Sequence, residues 1–352
     1  MRKIRILIVD DQPIARKMIR KGLSSDPAIE VVAEAGDAYE ARDRIIEYSP
    51  DVMTLDVEMP KMSGLEFIRK LLPQYPIPVI MVSSSTAEGT ESAVLALELG
   101  AFDFIQKPDG DPEGFENMAS ELTEKIKSAA DVNINKYIKS AGSGIPLLNR
   151  KKKPEPVLWN LKYRLIAIGA STGGTAAIRS IVSRLSPDLP GIVTVIHMPA
   201  GFTKAFADRL NDLSPLQVSE AYDGEEISPG KVLIAPGDLH LTVSSRNGKL
   251  YSQLSRKEKV SGHRPSVDSL FSSIAEAGIS EKTIGIILTG MGSDGAEGLL
   301  RLRNAGALTA GQDKETSTVY GMPKAAWDLG AVQKQLRLED IPIFLRRNAG
   351  RE

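Results

Sequence analysis

The sequence contains no cysteine. Disulfides, thiolate metal sites and a cysteine nucleophile are therefore excluded together. Histidine is scarce as well: with three of them, imidazole chemistry must use His197, His240 or His263. Neither sign of charge is in excess, with 44 basic against 45 acidic side chains and a formal net charge of −1. That balance argues against a general nucleic-acid binder, which would show a basic excess or stripe, although it leaves room for a small local patch. No run of 18 or more apolar residues occurs, so no membrane-spanning helix is expected. The opening MRKIRILIVDD has charges within its short apolar stretch and no small-residue cleavage site. It reads as a first strand rather than a signal peptide, and the cytoplasm is the expected location.

What is there is ordinary soluble composition: 42% hydrophobic and 25% charged residues over 352 positions. That length favours two domains, with room for a third. Residues 1–127 alternate strand-like and helix-like patterns. Strands are expected at 4–9, 30–33, 52–55, 79–82 and 102–105, and helices near 14–23, 39–47, 64–72, 92–99 and 114–128. Such alternation implies a five-stranded parallel (βα)5 sheet with helices on both faces, of flavodoxin-like class. Ligands of such folds lie at the carboxyl ends of the strands.

Asp10 and Asp11 follow the first expected strand, and Asp56 follows the third. Neighbouring strand ends would bring three carboxylates together, and their mutual repulsion calls for a cation. Hard oxygen ligands with room for water suit Mg²⁺. Ser83 ends the fourth strand and Lys107 follows the fifth. An acidic trio, a hydroxyl and a lysine at successive strand ends make a phosphoryl-accepting site with an aspartate nucleophile. Each residue alone reads as a turn former or helix cap; the joint pattern is specific. It resembles the receiver domain of two-component response regulators. That resemblance implies that Asp10 and Asp11 bind Mg²⁺ and that Asp56 accepts phosphate from a histidine kinase. It also implies that the backbone carbonyl of Glu58 is a further metal ligand, and that Ser83 and Lys107 form the phosphoryl switch. The polar stretch 84–90 is longer than in a minimal receiver.

From 128 to 160 the pattern breaks. Ser-Ala-Gly-Ser-Gly at 140–144, a basic run at 150–153 and Pro-Glu-Pro at 154–156 read as a linker. A second α/β domain is expected over 161–352, doubly wound and mostly parallel. Its strands are expected at 165–168, 192–196, 232–235, 239–243 and 284–288, and its helices at 175–185, 204–213, 267–277 and 295–305. An Asn-Gly turn at 247–248 marks a β-hairpin over 239–254. The tail from 341 to 352 reads as surface helix or coil.

The expected strand 165–168 runs into Gly169-Ala170-Ser171-Thr172-Gly173-Gly174 and then a helix. Gly-x-Ser-x-Gly fits a sharp strand-to-helix turn that exposes a serine hydroxyl. A dinucleotide loop fits less well, because Ser171 replaces its middle glycine and no acid ends the next strand. An ordinary tight turn accounts for the pentapeptide as well as catalysis does. A serine needs a base, and the base needs an orienting group. His197 follows the strand 192–196, where sites of open parallel sheets lie. His240 and His263 sit in a turn and a polar loop, where they shape the site or the surface. Asp294 lies on the glycine-rich loop 289–296 after another strand, a position that also suits a helix N-cap. The order Ser…His…Asp disfavours an α/β-hydrolase.

These residues carry a second resemblance. Gly169–Gly174, His197-Met198-Pro199, Phe202-Thr203, Pro236-Gly237-Asp238, His263–Asp268, Thr289–Ala296, Gln312-Asp313 and Tyr320–Pro323 resemble the CheB family, the chemotaxis protein-glutamate methylesterases. The residue before His197 is Ile196, where the family often has Gln. The resemblance implies that Ser171 attacks a glutamyl methyl ester on a methyl-accepting chemotaxis receptor, and that His197 is the base and Asp294 its orienting acid. It places an oxyanion donor at the backbone N–H of Met291; elbow geometry adds the N–H of Thr172. It implies deamidation of receptor glutamines as well, with no metal for the esterase. The partners implied are those receptors, a chemotaxis histidine kinase and no nucleic acid. The chain would meet the membrane only through receptors. A receiver packing over the active site and released by phosphorylation is the regulation implied. Three rivals stand beside this reading. They are a DNA-binding regulator, which would need a helix-turn-helix, a receptor-binding pseudo-enzyme, and a small-molecule esterase.

Overall fold

A computed structural model describes residues 2–84, 86–108, 112–132, 134 and 162–349. Most of the expected linker, and with it the basic run at 150–153, lies outside the described residues. The chain divides into two compact units, Met1–Gly144 and Ile145–Glu352.

The first unit holds β1 (Ile4–Val9), α1 (Pro13–Leu23), β2 (Ile29–Ala35), α2 (Ala38–Tyr48), β3 (Val52–Asp56), α3 (Gly64–Leu71), β4 (Val79–Ser83), α4 (Ala87–Glu98), β5 (Asp103–Gln106) and α5 (Pro112–Ala130). The strand order is β2-β1-β3-β4-β5, all parallel. Every residue of β3 and β4 is buried, as the short apolar runs of a sheet covered on both faces require. Three helices start where a side chain accepts an otherwise orphaned backbone N–H. Asp37 accepts from Tyr39 and Glu40, Ser63 from Glu66, and Thr86 from Gly89. The Thr86 cap explains why α4 begins at Ala87 and not at 92. The polar stretch at its start hid a cap, and Ala93, Val94, Ala96 and Leu97 supply the buried face.

The second unit holds β6 (Leu165–Ala170), α6 (Gly174–Val182), β7 (Gly191–Ile196), α7 (Phe202–Leu213), β8 (Gln217–Glu220), β9 (Lys231–Ile234), β10 (His240–Arg246), β11 (Lys249–Ser255), α8 (Val267–Glu276), β12 (Thr283–Ile287), α9 (Ala296–Asn304), β13 (Leu308–Gln312), α10 (Met322–Asp328), β14 (Lys334–Leu336) and α11 (Ile341–Ala349). Seven strands form one sheet in the order β14-β13-β12-β6-β7-β9-β8, all parallel. The strand order reverses between β6 and β12, the place where open parallel sheets bind ligands. β10 and β11 form a separate antiparallel hairpin. Asn247 and Gly248 at its tip have φ of 48° and 76°, both left-handed as a type I′ turn needs.

Three strands escaped the sequence pattern. β8 and β14 are short and polar, and β13 (Leu-Thr-Ala-Gly-Gln) carries little apolar signal although all but its first residue are buried. The tail expectation is corrected. α11 buries Ile341, Pro342, Phe344, Leu345 and Ala349 and packs against α6. Its apolar residues recur at helical spacing, which makes it part of the core and not a surface segment. Among the described residues no helix is long and apolar enough to cross a membrane.

Candidate active site and phosphoryl site

The order β2-β1-β3 sets the ends of β1 and β3 side by side, so Asp10, Asp11 and Asp56 converge. One carboxylate oxygen of each lies within 4.8 Å of the others. Asp10 and Asp56 are buried, while Asp11 is more open. Lys107 Nζ reaches Asp56 Oδ2 at 2.7 Å and Asp10 Oδ2 at 2.9 Å. Burial pushes the Asp56 carboxyl up to about 6 against the pull of Lys107, and Asp10 adds to the rise. Three crowded acids and one ammonium leave negative charge that a small hard cation would offset. The donor set, all oxygen with an open side at Asp11, fits Mg²⁺.

Backbone crowding shapes the loop after Asp56. Glu58 N–H donates to Asp56 Oδ1 at 3.2 Å, and Gly64 N–H donates to Val57 O at 3.0 Å. A Cβ at Gly64 would overlap the carbonyl oxygen of Asp56. Ser83 is buried at the end of β4, and its hydroxyl donates to Gly89 O at 2.9 Å. It is near the start of α4 and is held by backbone. The Glu58 carboxylate accepts from Ser84 Oγ at 3.1 Å, which ties Ser84 to this edge of the site.

In the second unit, β6 lies between β12 and β7. Pairing of Ala170 with Ile196 sets Ser171 and His197 at adjacent strand exits, and His197 N–H donates to Ala170 O at 3.2 Å. Ser171 N–H donates to Thr289 O at 3.0 Å, and Gly174 N–H to Ser171 O at 2.6 Å. These bonds make the sharp turn into α6. Gly173 at φ 76° completes the turn in a conformation that glycine adopts without strain. Ile196 is buried beneath the turn, against Gly174.

The glycine-rich loop after β12 lies directly on Ser171. A Cβ at Gly290 would come within 2.8 Å of Ser171 Cβ and would also overlap Met322 Sδ. The carbonyl of Gly290 accepts from Gly321 N–H at 3.1 Å and Met322 N–H at 2.8 Å. Thr289 Oγ1 donates to Thr172 O at 2.9 Å, and Thr289 N–H donates to Gln312 Oε1 at 2.9 Å. Thr172 follows Ser171 and Met291 follows Gly290, on two loops tied together by the Thr289–Thr172 bond.

His197 Nε2 meets Asp294 Oδ2 at 2.8 Å, and the carboxylate is 1% exposed. The other ring nitrogen, Nδ1, is buried and has no hydrogen-bond partner. Burial alone would raise Asp294, but the bond from His197 and the N–H groups of Val267 and Asp268 outweigh it and hold the carboxyl at about 2. Asp294 is therefore a carboxylate at any physiological pH, able to fix the proton on His197 Nε2.

The structure unites Ser171, His197 and Asp294 at the strand ends. His240 is one residue removed, behind Ser266: it is buried, with Nε2 bonded to Glu258 O at 2.9 Å. His263, expected to shape the site or the surface, lies in the site itself. Its ring stacks on His197 with centroids 3.8 Å apart and planes 13° from parallel. Burial, and then the neighbouring His197, hold His263 down to about 4. A neutral ring therefore covers the histidine. The motif His263–Asp268 also holds Ser266 and the first N–H groups of α8, whose grip on Asp294 sequence reasoning did not foresee. Serine just before the apolar run of α8 was a legible N-cap signal, but nothing in sequence showed that the cap faces Asp294.

Residues 166–345 match the CheB methylesterase family, and residues 6–118 match the response regulator receiver domain family. A protein-glutamate methylesterase/protein-glutamine glutaminase of Sulfurimonas denitrificans is 47% identical over 341 residues, covering 97% of each chain. A protein of the same name from Syntrophotalea carbinolica is 46% identical, covering 97% of this chain and 96% of its own. The crystal structure of the Thermotoga maritima CheB methylesterase catalytic domain is 42% identical with a TM-score of 0.51, covering 53% of this chain and 98% of that one.

Proposed function

The chain belongs to the CheB methylesterase family, with a response regulator receiver domain ahead of the methylesterase domain, and from that premise we propose that it demethylates glutamate and deamidates glutamine on methyl-accepting chemotaxis receptors. The observation that carries the chemistry is the buried His197–Asp294 pair at the strand exit next to Ser171. Ser171 Oγ attacks the ester carbonyl carbon as its proton passes to His197. The receiving atom is Nδ1, the ring nitrogen that Asp294 leaves unengaged. The N–H groups of Met291 and Thr172 take the oxyanion. Collapse breaks the ester C–O bond, and the same Nδ1 returns the proton to methanol. Water then repeats the steps on the acyl-enzyme and frees glutamate and Ser171. With a glutamine side chain, ammonia leaves in place of methanol.

Gly290 sets the distance between the two loops. Gly290→Ala is expected to cut kcat by about 100-fold, the usual effect of displacing reacting groups by an ångström. Methanol release, measured beside a thermal melt, checks this. A variant that melts normally and turns over at the wild-type rate would contradict the close packing as a requirement.

In the receiver domain, Asp10, Asp11, Asp56 and the Glu58 carbonyl would hold Mg²⁺. Bound there, the ion would offset charge on the transferring phosphoryl group. An Asp56 oxygen forms a bond to phosphorus as the P–N bond of the kinase phosphohistidine breaks. Lys107 pairs with the phosphoryl group, and Ser83 turns from Gly89 O to hydrogen-bond it. The roughly −1.5 to −2 charge so added shifts the protein toward its more active state. Asp56→Asn, or removal of Mg²⁺ with EDTA, is expected to abolish phosphate incorporation from a small phosphodonor and all stimulation of methanol release. Unstimulated release should remain. Intact-mass measurement reads the first effect, and stimulation persisting in Asp56→Asn would sink the assignment.

A further inference from the structure

Asp294 is bonded on both oxygens. Oδ2 faces His197 Nε2 at 2.8 Å and receives Val267 N–H at 2.7 Å. Oδ1 receives Ser266 Oγ at 2.8 Å and Asp268 N–H at 3.1 Å. Three of these donors come from one short stretch at the start of α8. Two are backbone groups, fixed by the helix itself. The third is the only side chain among them, and it is the shorter of the two bonds to Oδ1.

The direction of that hydroxyl follows from its neighbours. Ser269 N–H donates to Ser266 Oγ at 3.3 Å, so that contact uses a lone pair. The Asp294 carboxylate can only accept. The hydroxyl proton must therefore lie on the Asp294 side. Behind Ser266 stands His240. Ser266 N–H donates to His240 Nδ1 at 3.3 Å, and His240 Nε2 meets Glu258 O at 2.9 Å. A carbonyl oxygen only accepts, which puts the His240 proton on Nε2 and leaves Nδ1 to accept from Ser266. Both residues are buried, Ser266 fully, so bulk water does not replace a lost donor.

We propose that Ser266 is a positioning residue of the esterase: its hydroxyl, backed by His240, fixes the rotation of the Asp294 carboxylate and through it the ring of His197. The proposal rests on the reading of Asp294 as the orienting acid. Without the hydroxyl, Oδ1 keeps only the longer Asp268 bond, and the carboxylate can turn about its terminal torsion, where barriers are broad. His197 would then lose its fixed presentation toward Ser171, while no group that touches the receptor substrate changes. The effect should fall on kcat and spare KM.

Ser266 also caps α8, so the test must separate capping from donation. Ser266→Gly removes the donor to Asp294 together with the acceptor of Ser269 N–H, but glycine is well tolerated at a cap, so a loss of rate reads the donation. In the full-length chain acting on methylated receptor membranes, it is expected to lower kcat by about 10- to 100-fold, the range for a hydrogen bond to a charged group. KM should stay within about twofold, and Ser266→Thr should restore most of the rate. Should the glycine variant fail to fold, Ser266→Val against Ser266→Thr makes the same comparison between side chains of one shape. Equal kcat for the hydroxyl-bearing and hydroxyl-free members of either pair would overturn the proposal. Ser171→Ala, assayed alongside, keeps the two levels apart. If it retains turnover, the reading of the whole site fails; if it is dead while Ser266→Gly runs at the wild-type rate, only the role of Ser266 fails.

Discussion

Methanol release by Ser171→Ala is expected to fall by about 10⁴- to 10⁶-fold, the scale on which a nucleophile of a serine–histidine–acid set is lost. The size follows from position. The β6 exit carries Ser171 between small residues, and the glycine-rich loop packs so closely that a Cβ at Gly290 has no room. A nucleophile supplied by another side chain would have to enter that contact. Alanine fits the site without new bulk, and the backbone bonds of residue 171 to Thr289 and Gly174 remain. The variant should therefore fold normally and bind receptor. Activity within tenfold of wild type, in a protein that melts normally, would show that the chemistry lies elsewhere.

Asp294→Asn is expected to be nearly as severe, about 10⁴-fold in kcat. Every bond to this side chain comes from a donor: His197, Val267 N–H, Ser266 Oγ and Asp268 N–H. The NH2 of an asparagine side chain cannot accept. Whichever way it points, one backbone N–H, of Val267 or of Asp268, loses its acceptor, at a cost of about 1–3 kcal/mol. If the amide faces His197, the ring is driven to the other tautomer, and Nδ1 carries the proton it should receive. The variant also has a pH signature. The Asp294 carboxyl is held at about 2 against an ordinary value of 3.8. A lowered acid stabilises the folded state fully above its unfolded value, and that stability is lost as pH falls from about 4 through 2. Asp294→Asn should be less stable at neutral pH, and its stability should fall less steeply across that acid window. Chemical denaturation at pH 7 and at pH 3 reads both. An unchanged acid limb would contradict the buried, donor-rich setting of the carboxylate.

Much of this was legible in the sequence because the sites sit at strand ends. β3, β6, β7, β12 and the Ile6–Val9 part of β1 are short, mostly apolar and buried on both faces, so their exits at Asp10, Asp56, Ser171, His197 and Thr289 could be read from where hydrophobicity stops. The polar strands β8 and β14 and the glycine-bearing β13 had no such edge and were missed. The tail 341–352 reads as surface helix or coil in the sequence, yet α11 buries its apolar run. In the site, the residues proposed to react stood out at strand ends, and the contacts that hold them did not. Ser266 reads as a helix cap and His263 as a loop histidine. Only folding brings the start of α8 onto Asp294 and sets one imidazole on another.

The account rests on one coupling, between a phosphoryl-accepting aspartate and a serine esterase in the same chain. Methanol release from methylated chemoreceptor membranes, with and without a small phosphodonor and Mg²⁺, tests it most directly. The account predicts release by the wild type that rises with the phosphodonor, release by Asp56→Asn that does not rise, and none above background from Ser171→Ala. Release that the phosphodonor leaves unchanged would remove the coupling, and no release from the wild type under either condition would contradict the esterase itself.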